Sequence, residues 1–180
     1  GLPNDSFALI NADDKRGRVM IQNTRAKTYT YSLLTMADFK AKLVTTSMEG
    51  LEMEVDGFQA WFRLIGNFNA YNLLAVYGTA VLLGEDKEEV LMQLSSIEPT
   101  NGRFEQFISE SKICIVVDYA HTPDALKNVL ETIAQLKESH EVITVVGCGG
   151  NRDSAKRPIM AVIACQFSDH IILTADNPRD

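Results

Sequence analysis

Several kinds of site and scaffold are missing from this chain of 180 residues. It has three cysteines, Cys114, Cys148 and Cys165, widely spaced and odd in number. That excludes a disulfide framework and a paired zinc-ligand pattern, and fits reduced thiols in a cytosolic protein. Histidine is as scarce, at three residues, and no second ligand stands beside His121, so no zinc site is expected. His140 and His170 read as a helix end and a strand start. The longest apolar stretch, Leu73–Leu83, is interrupted by Tyr77, Gly78 and Thr79 and falls short of a membrane span. No basic amino-terminal run leads into an apolar core, so no secretory leader is expected, although the chain begins at Gly1 rather than Met. Positive charge is in deficit, with 17 Lys and Arg against 24 Asp and Glu, which argues against nucleic acid as a partner. No Walker-type phosphate loop occurs, and Arg152 stands where a dinucleotide fingerprint would need its third glycine.

What is present falls into two styles. The first third reads as antiparallel sheet, with short β-prone runs at Phe7–Ile10, Val19–Gln22 and Tyr29–Ser32. Leu51, Met53 and Val55 then alternate with Glu52, Glu54 and Asp56, the period of a half-buried strand. Asp56-Gly57 is a strong hairpin signal, with Gln59–Ile65 as the returning strand. Helices are expected over Phe68–Leu83, ended by Gly84, and over Lys87–Leu94. Turn residues from Glu98 to Gly102 mark a boundary, dividing the chain into 1–100 and 101–180. Beyond it, strand Ile113–Val117, a helix opened by Thr122-Pro123-Asp124, strand Val142–Val146, helix Pro158–Phe167 and strand His170–Thr174 follow in turn. That order predicts a parallel, doubly wound sheet.

The chemistry-bearing residues cluster at strand ends. Gly147-Cys-Gly-Gly-Asn-Arg-Asp-Ser-Ala-Lys-Arg-Pro158 and Asp176-Asn-Pro-Arg179 each follow a buried-strand pattern, where open α/β sheets place ligands. Arg152, Lys156, Arg179, Asp176 and Asn177 would suit a zwitterion bearing both carboxylate and ammonium; ordinary loop polarity is the plainer alternative. Lys156 and Arg157 open a helix against its dipole, so either an anion compensates them or they are simply solvated. Asn69 and Asn72 share a helix face as a satisfied pair or as ligand contacts. Arg103 at the boundary is either a surface residue or one that reaches an anion. Asp118 and His121 end a strand before a capped helix, where Asp118 could equally cap a turn and His121 lie exposed.

Four strings, Gly66-Asn-Phe-Asn-Ala-Tyr-Asn72, Asp118-Tyr-Ala-His-Thr-Pro123, the glycine-rich run and Asp176-Asn-Pro-Arg179, together resemble the Mur ligases of peptidoglycan synthesis. The resemblance covers nearly the whole chain and is weakest over the first sixty residues. It implies an α/β fold, in which antiparallel strands and helices of a partial central ATP-binding domain precede a partial Rossmann-like, doubly wound domain. It implies an ATP-dependent, Mg²⁺-assisted ligase that adds meso-diaminopimelate to UDP-N-acetylmuramoyl-L-alanyl-D-glutamate through an acyl phosphate. The setting would be the cytoplasm, in cell-wall biogenesis, cell shape and division, with a monomeric parent and no membrane insertion. Asn69 and Asn72 would meet adenine, Asp118 the ribose, and Arg103, His121 and Lys156 the phosphate region. Arg152, Asp176, Asn177 and Arg179 would hold the amino acid, with Arg179 the fork for its distal carboxylate. The phosphate loop, the carbamylated lysine and the metal ligands are expected outside the chain, so the chain alone should be inactive and holds no catalytic residue. Two alternatives remain, a folylpolyglutamate-synthase-like ligase and a stand-alone nucleotide-binding module without catalysis. A phosphate loop upstream in the reading frame separates the ligases from the module.

Overall fold

The computed structural model describes Pro3, residues 6–149 and residues 153–176. It divides into two compact units, Gly1–Glu98 and Pro99–Asp180. No helix among the described residues is long and apolar enough to cross a membrane.

The first unit is a five-stranded sheet in chain order: β1 Phe7–Asn11, β2 Lys27–Ser32, β3 Phe39–Thr46, β4 Leu51–Val55 and β5 Phe58–Phe62. Its amino-terminal part differs from the expectation of antiparallel strands. β1 pairs parallel with β2, and β2 parallel with β3; only β3–β4 and β4–β5 are antiparallel. A parallel pair needs a crossing connection. The Val19–Gln22 run, expected as a strand, lies in that connection as the end of a single helical turn, α1 Gly17–Met20, with Val19 and Met20 exposed. The hairpin at Asp56-Gly57 forms as its residues demand, with φ of 49° and 88°, the left-handed pair of a type I′ turn. Helix α2, Asn67–Leu82, lays Leu73, Leu74 and Tyr77 on the sheet, and α3, Lys87–Ser95, adds Val90, Leu91 and Leu94. Asp86 caps α3 by accepting from the Glu88 and Glu89 amides. Leu51, Met53, Val55 and Phe62 close the core from the strands, and Tyr77 meets Phe39 edge to face at 6.1 Å.

In the second unit β6 Glu105–Ile108 pairs antiparallel with β7 Cys114–Val117. Helix α4, Pro123–Leu136, then leads to β8 Ile143–Gly149, helix α5 Lys156–Phe167 and β9 His170–Asp176. β8 and β9 are parallel over their full length, as alternating strands and helices imply. The run expected to begin that sheet, β7, instead hydrogen-bonds β6 in a separate two-stranded sheet. Thr122 caps α4 through the Ala125 amide, with Pro123 as its first residue. Pro158, expected to open α5, is its third residue, within the first turn, where a missing N–H is still harmless. Leu126 and Leu130 of α4 pack on Met160 and Ala164 of α5.

Candidate functional site

In the first unit the relevant face belongs to the amino-terminal turns of α2. The Asn69 amide nitrogen donates to the Ile65 carbonyl at 2.8 Å, and its oxygen accepts from the Asn72 amide nitrogen at 3.2 Å. Asn72 is exposed, and the bond to Asn69 uses one N–H, which leaves its own oxygen and second N–H for other partners. Between these asparagines Tyr71 donates its hydroxyl to Asp13 at 3.0 Å. Asp13 also accepts from Ser32 and Thr35 hydroxyls and from the Leu33 and Leu34 amides. Burial pushes this carboxyl upward, but the hydrogen bonds outweigh it and hold the group at about 2. Burial and the neighbouring carboxylate drive the Tyr71 phenol up to about 12, so it remains a donor at any physiological pH. Asp13 thereby ties the end of β2 and the following loop to the helix carrying the asparagines.

In the second unit four of the anticipated residues lie in one connected group. Asp118, just past β7, accepts from the Phe104 amide at 2.8 Å and the Ala120 amide at 2.7 Å. Phe104 is buried at φ 51°, so this carboxylate clamps an unusual backbone bend beside Arg103. The Arg103 guanidinium sits 5.0 Å above the Tyr119 ring, and that ring packs tilted on His121 at 5.1 Å. His121 Nδ1 lies 3.0 Å from the Tyr119 carbonyl. Lys156, opening α5, donates to the His121 carbonyl at 2.6 Å. The cap role weighed for Asp118 is therefore real, and it leaves this aspartate at the centre of the group.

Lys156 and its neighbour Arg157 begin α5 with no acid in the first turn. Arg157 donates to the Gly149 carbonyl at 3.3 Å. Both cations are thus held by neutral carbonyls, which position them without cancelling their charge. Arg157 also lines a cavity of about 360 Å³, together with Val146, Cys148, Met160, Leu173 and Thr174. Asp176 ends β9 exposed beside it. A β-carbon on Gly147 would fall 2.9 Å from the Asp176 β-carbon, so the bare backbone at Gly147 is what admits β9 so closely. Arg152, Asn177 and Arg179 lie outside the described residues.

Asp13, Tyr71 and Tyr119 were not singled out from sequence. An aspartate in a turn and tyrosines inside recognised strings carry no spacing signal. Tyr119, 64% exposed, could have been found as an aromatic left out of the core between Asp118 and His121.

Two family models match the chain: the Mur ligase middle domain over residues 1–80, and the Mur ligase, glutamate ligase domain over residues 102–180. A UDP-N-acetylmuramoyl-L-alanyl-D-glutamate–2,6-diaminopimelate ligase from Cytophaga hutchinsonii is 81% identical over 180 residues, covering 100% of this chain and 37% of that protein. A solved structure of a ligase with the same name has a TM-score of 0.63 at 34% identity, covering 97% of this chain and 37% of that one. MurF from Acinetobacter baumannii shares the fold, with a TM-score of 0.76 at 13% identity over 97% of this chain and 43% of that one. The chain thus spans little more than a third of the length of the curated relatives it matches.

Proposed function

We propose, from the premise that this chain belongs to the Mur ligase family, that the whole protein joins meso-diaminopimelate to UDP-N-acetylmuramoyl-L-alanyl-D-glutamate at the expense of ATP. Residues 1–100 would form the carboxyl part of a central ATP-binding domain. Residues 101–180 would begin the domain that binds the amino acid. The work is cytoplasmic, by a monomer, with no part for nucleic acid or membrane insertion. The observation that carries the reading is the connected group of Arg103, Asp118, Tyr119, His121 and Lys156 around the carboxyl end of β7.

In the reaction the γ-carboxylate of the D-glutamyl residue takes the γ-phosphoryl group of ATP, whose bond to the β-phosphate oxygen breaks to release ADP. The amine of the incoming amino acid then attacks the acyl carbon, phosphate departs with the former acyl oxygen, and the amine gives up a proton. No protein nucleophile is needed; positioning and charge do the work. Asn72 offers an acceptor and a donor side by side, the complement of adenine's amine and ring nitrogen. Asp118 would accept from ribose hydroxyls with the lone pairs its two backbone donors leave over. Arg103, His121 and Lys156 would face the phosphates. Mg²⁺, when bound, would supply charge neutralisation there; no three His, Cys, Asp or Glu side chains among the described residues gather as its ligands.

Arg152, Asp176 and Asn177 would hold the amino acid, Asp176 and Asn177 by binding its amine or ordering the loop. Arg179 would pair with the distal carboxylate, the one group that lysine lacks. Kinetics of the full-length protein with meso-diaminopimelate and with L-lysine test the assignment. Strong preference for diaminopimelate, lost in Arg179→Ala, is expected. Comparable use of lysine, or an Arg179→Ala variant with undiminished use of diaminopimelate, would sink it.

A further inference from the structure

The two asparagines of α2 are not equivalent. A backbone carbonyl can only accept, so the group Asn69 turns to the Ile65 oxygen at 2.8 Å must be its NH₂. That places the Asn69 oxygen on the other side, where the only group Asn72 can usefully offer is its own NH₂, at 3.2 Å. The Asn72 oxygen is then directed away from Asn69. One main-chain carbonyl therefore sets the orientation of two successive amides.

We propose that Asn69 is a positioning residue which, by fixing the orientation of Asn72, sets the preference for a 6-amino purine over a 6-oxo purine. The inference rests on the reading of Asn72 as the adenine contact. A free asparagine turns its amide over readily and can serve either base. Adenine needs an acceptor opposite its amine and a donor opposite the adjacent ring nitrogen, the order in which Asn72 is held. A 6-oxo purine such as hypoxanthine sets a carbonyl against the Asn72 oxygen. Turning Asn72 over to relieve that clash would lose its bond to Asn69 and set two amide oxygens face to face. Asn69 itself has both its polar groups engaged within the protein and acts through its neighbour.

The test measures kcat and KM of the full-length protein with ATP and with ITP, in the wild type and in Asn69→Leu, Asn69→Ala, Asn69→Asp and Asn72→Ala. Asn69→Leu should reduce the ATP-over-ITP preference in kcat/KM about three- to tenfold, the worth of one hydrogen bond, through KM and with little change in kcat. Asn69→Asp keeps an acceptor toward Asn72 and should retain more of the preference than the leucine variant. Asn69→Ala, which also lacks the acceptor toward Asn72, should reduce the preference likewise and carries the test should Asn69→Leu fail to fold. An unchanged ATP-to-ITP ratio in Asn69→Leu or Asn69→Ala, while Asn72→Ala raises KM for ATP, overturns the orienting role alone. An unchanged KM for ATP in Asn72→Ala overturns the adenine contact on which the role depends.

Discussion

Asp13 should make the first unit acid-sensitive through a single carboxylate, and the effect can be isolated. Its five donors come from β2, the loop at 33–35 and Tyr71 of α2, so removing its charge loosens three segments at once. Because the folded carboxyl lies at about 2, well below the roughly 3.9 of an unfolded aspartate, its stabilisation is complete above about pH 4. It is lost as pH falls through the folded value near 2. Linkage for a wholly shielded group would give roughly 2.5 kcal/mol, and solvent screening of this half-buried one reduces that to about 1–2 kcal/mol. Asp13→Asn keeps one acceptor oxygen but turns an NH₂ toward donors, so the loss at pH 7 should be about 2–3 kcal/mol. Urea unfolding followed by the fluorescence of Trp61, the one tryptophan of the chain, measures both proteins. The gap between wild type and Asp13→Asn should narrow steadily from about pH 4 to pH 2. Asp38 and Asp169, also held below their ordinary values by hydrogen bonds, are present in both proteins and cancel in the difference. A gap of the same size at pH 7 and pH 2.5, or one below about 0.5 kcal/mol throughout, would refute the reasoning.

Two further outcomes are expected in the second unit. Asp118→Ala removes charge-assisted bonds to the Phe104 and Ala120 amides and should cost about 2–3 kcal/mol; thermal denaturation reads that loss, and in the full-length protein KM for ATP should rise while KM for the amino acid holds. Gly147→Ala forces β8 and β9 apart at Asp176 and should cost about 1–3 kcal/mol by overpacking. In full-length protein the same variant should raise KM for the amino acid more than KM for ATP, and steady-state kinetics that find both unchanged would detach Asp176 from the substrate.

What could be read from sequence was what local chemistry decides. The Thr122-Pro123-Asp124 cap, the Asp56-Gly57 turn and the Leu51–Val55 alternation each carry their geometry within a few residues, and each forms as read. β3 is hard to read from sequence although Phe39 and Ala41 alternate with Lys40 and Lys42, because two lysines in a short run look like surface. Strand partners were out of reach for a different reason. Val19–Gln22 has the composition of a strand and Ile113–Val117 that of a buried parallel one. Their places are decided by what lies opposite, a crossing connection in one case and β6 in the other. The site divides along the same line. The identities of Asn69, Asn72, Arg103, Asp118, His121 and Lys156 stood out, but their connections are non-local or directional. Lys156 reaches His121 across 35 positions, and Tyr71 reaches Asp13 across 58. Even the neighbouring pair Asn69 and Asn72 could not be ranked from spacing, since two asparagines three apart are chemically identical until a carbonyl fixes one of them. The Ile65 oxygen, which no motif includes, supplies that asymmetry. A list of polar residues therefore says which chemistry is available, and the main chain around them decides which member touches the ligand and which one aims it.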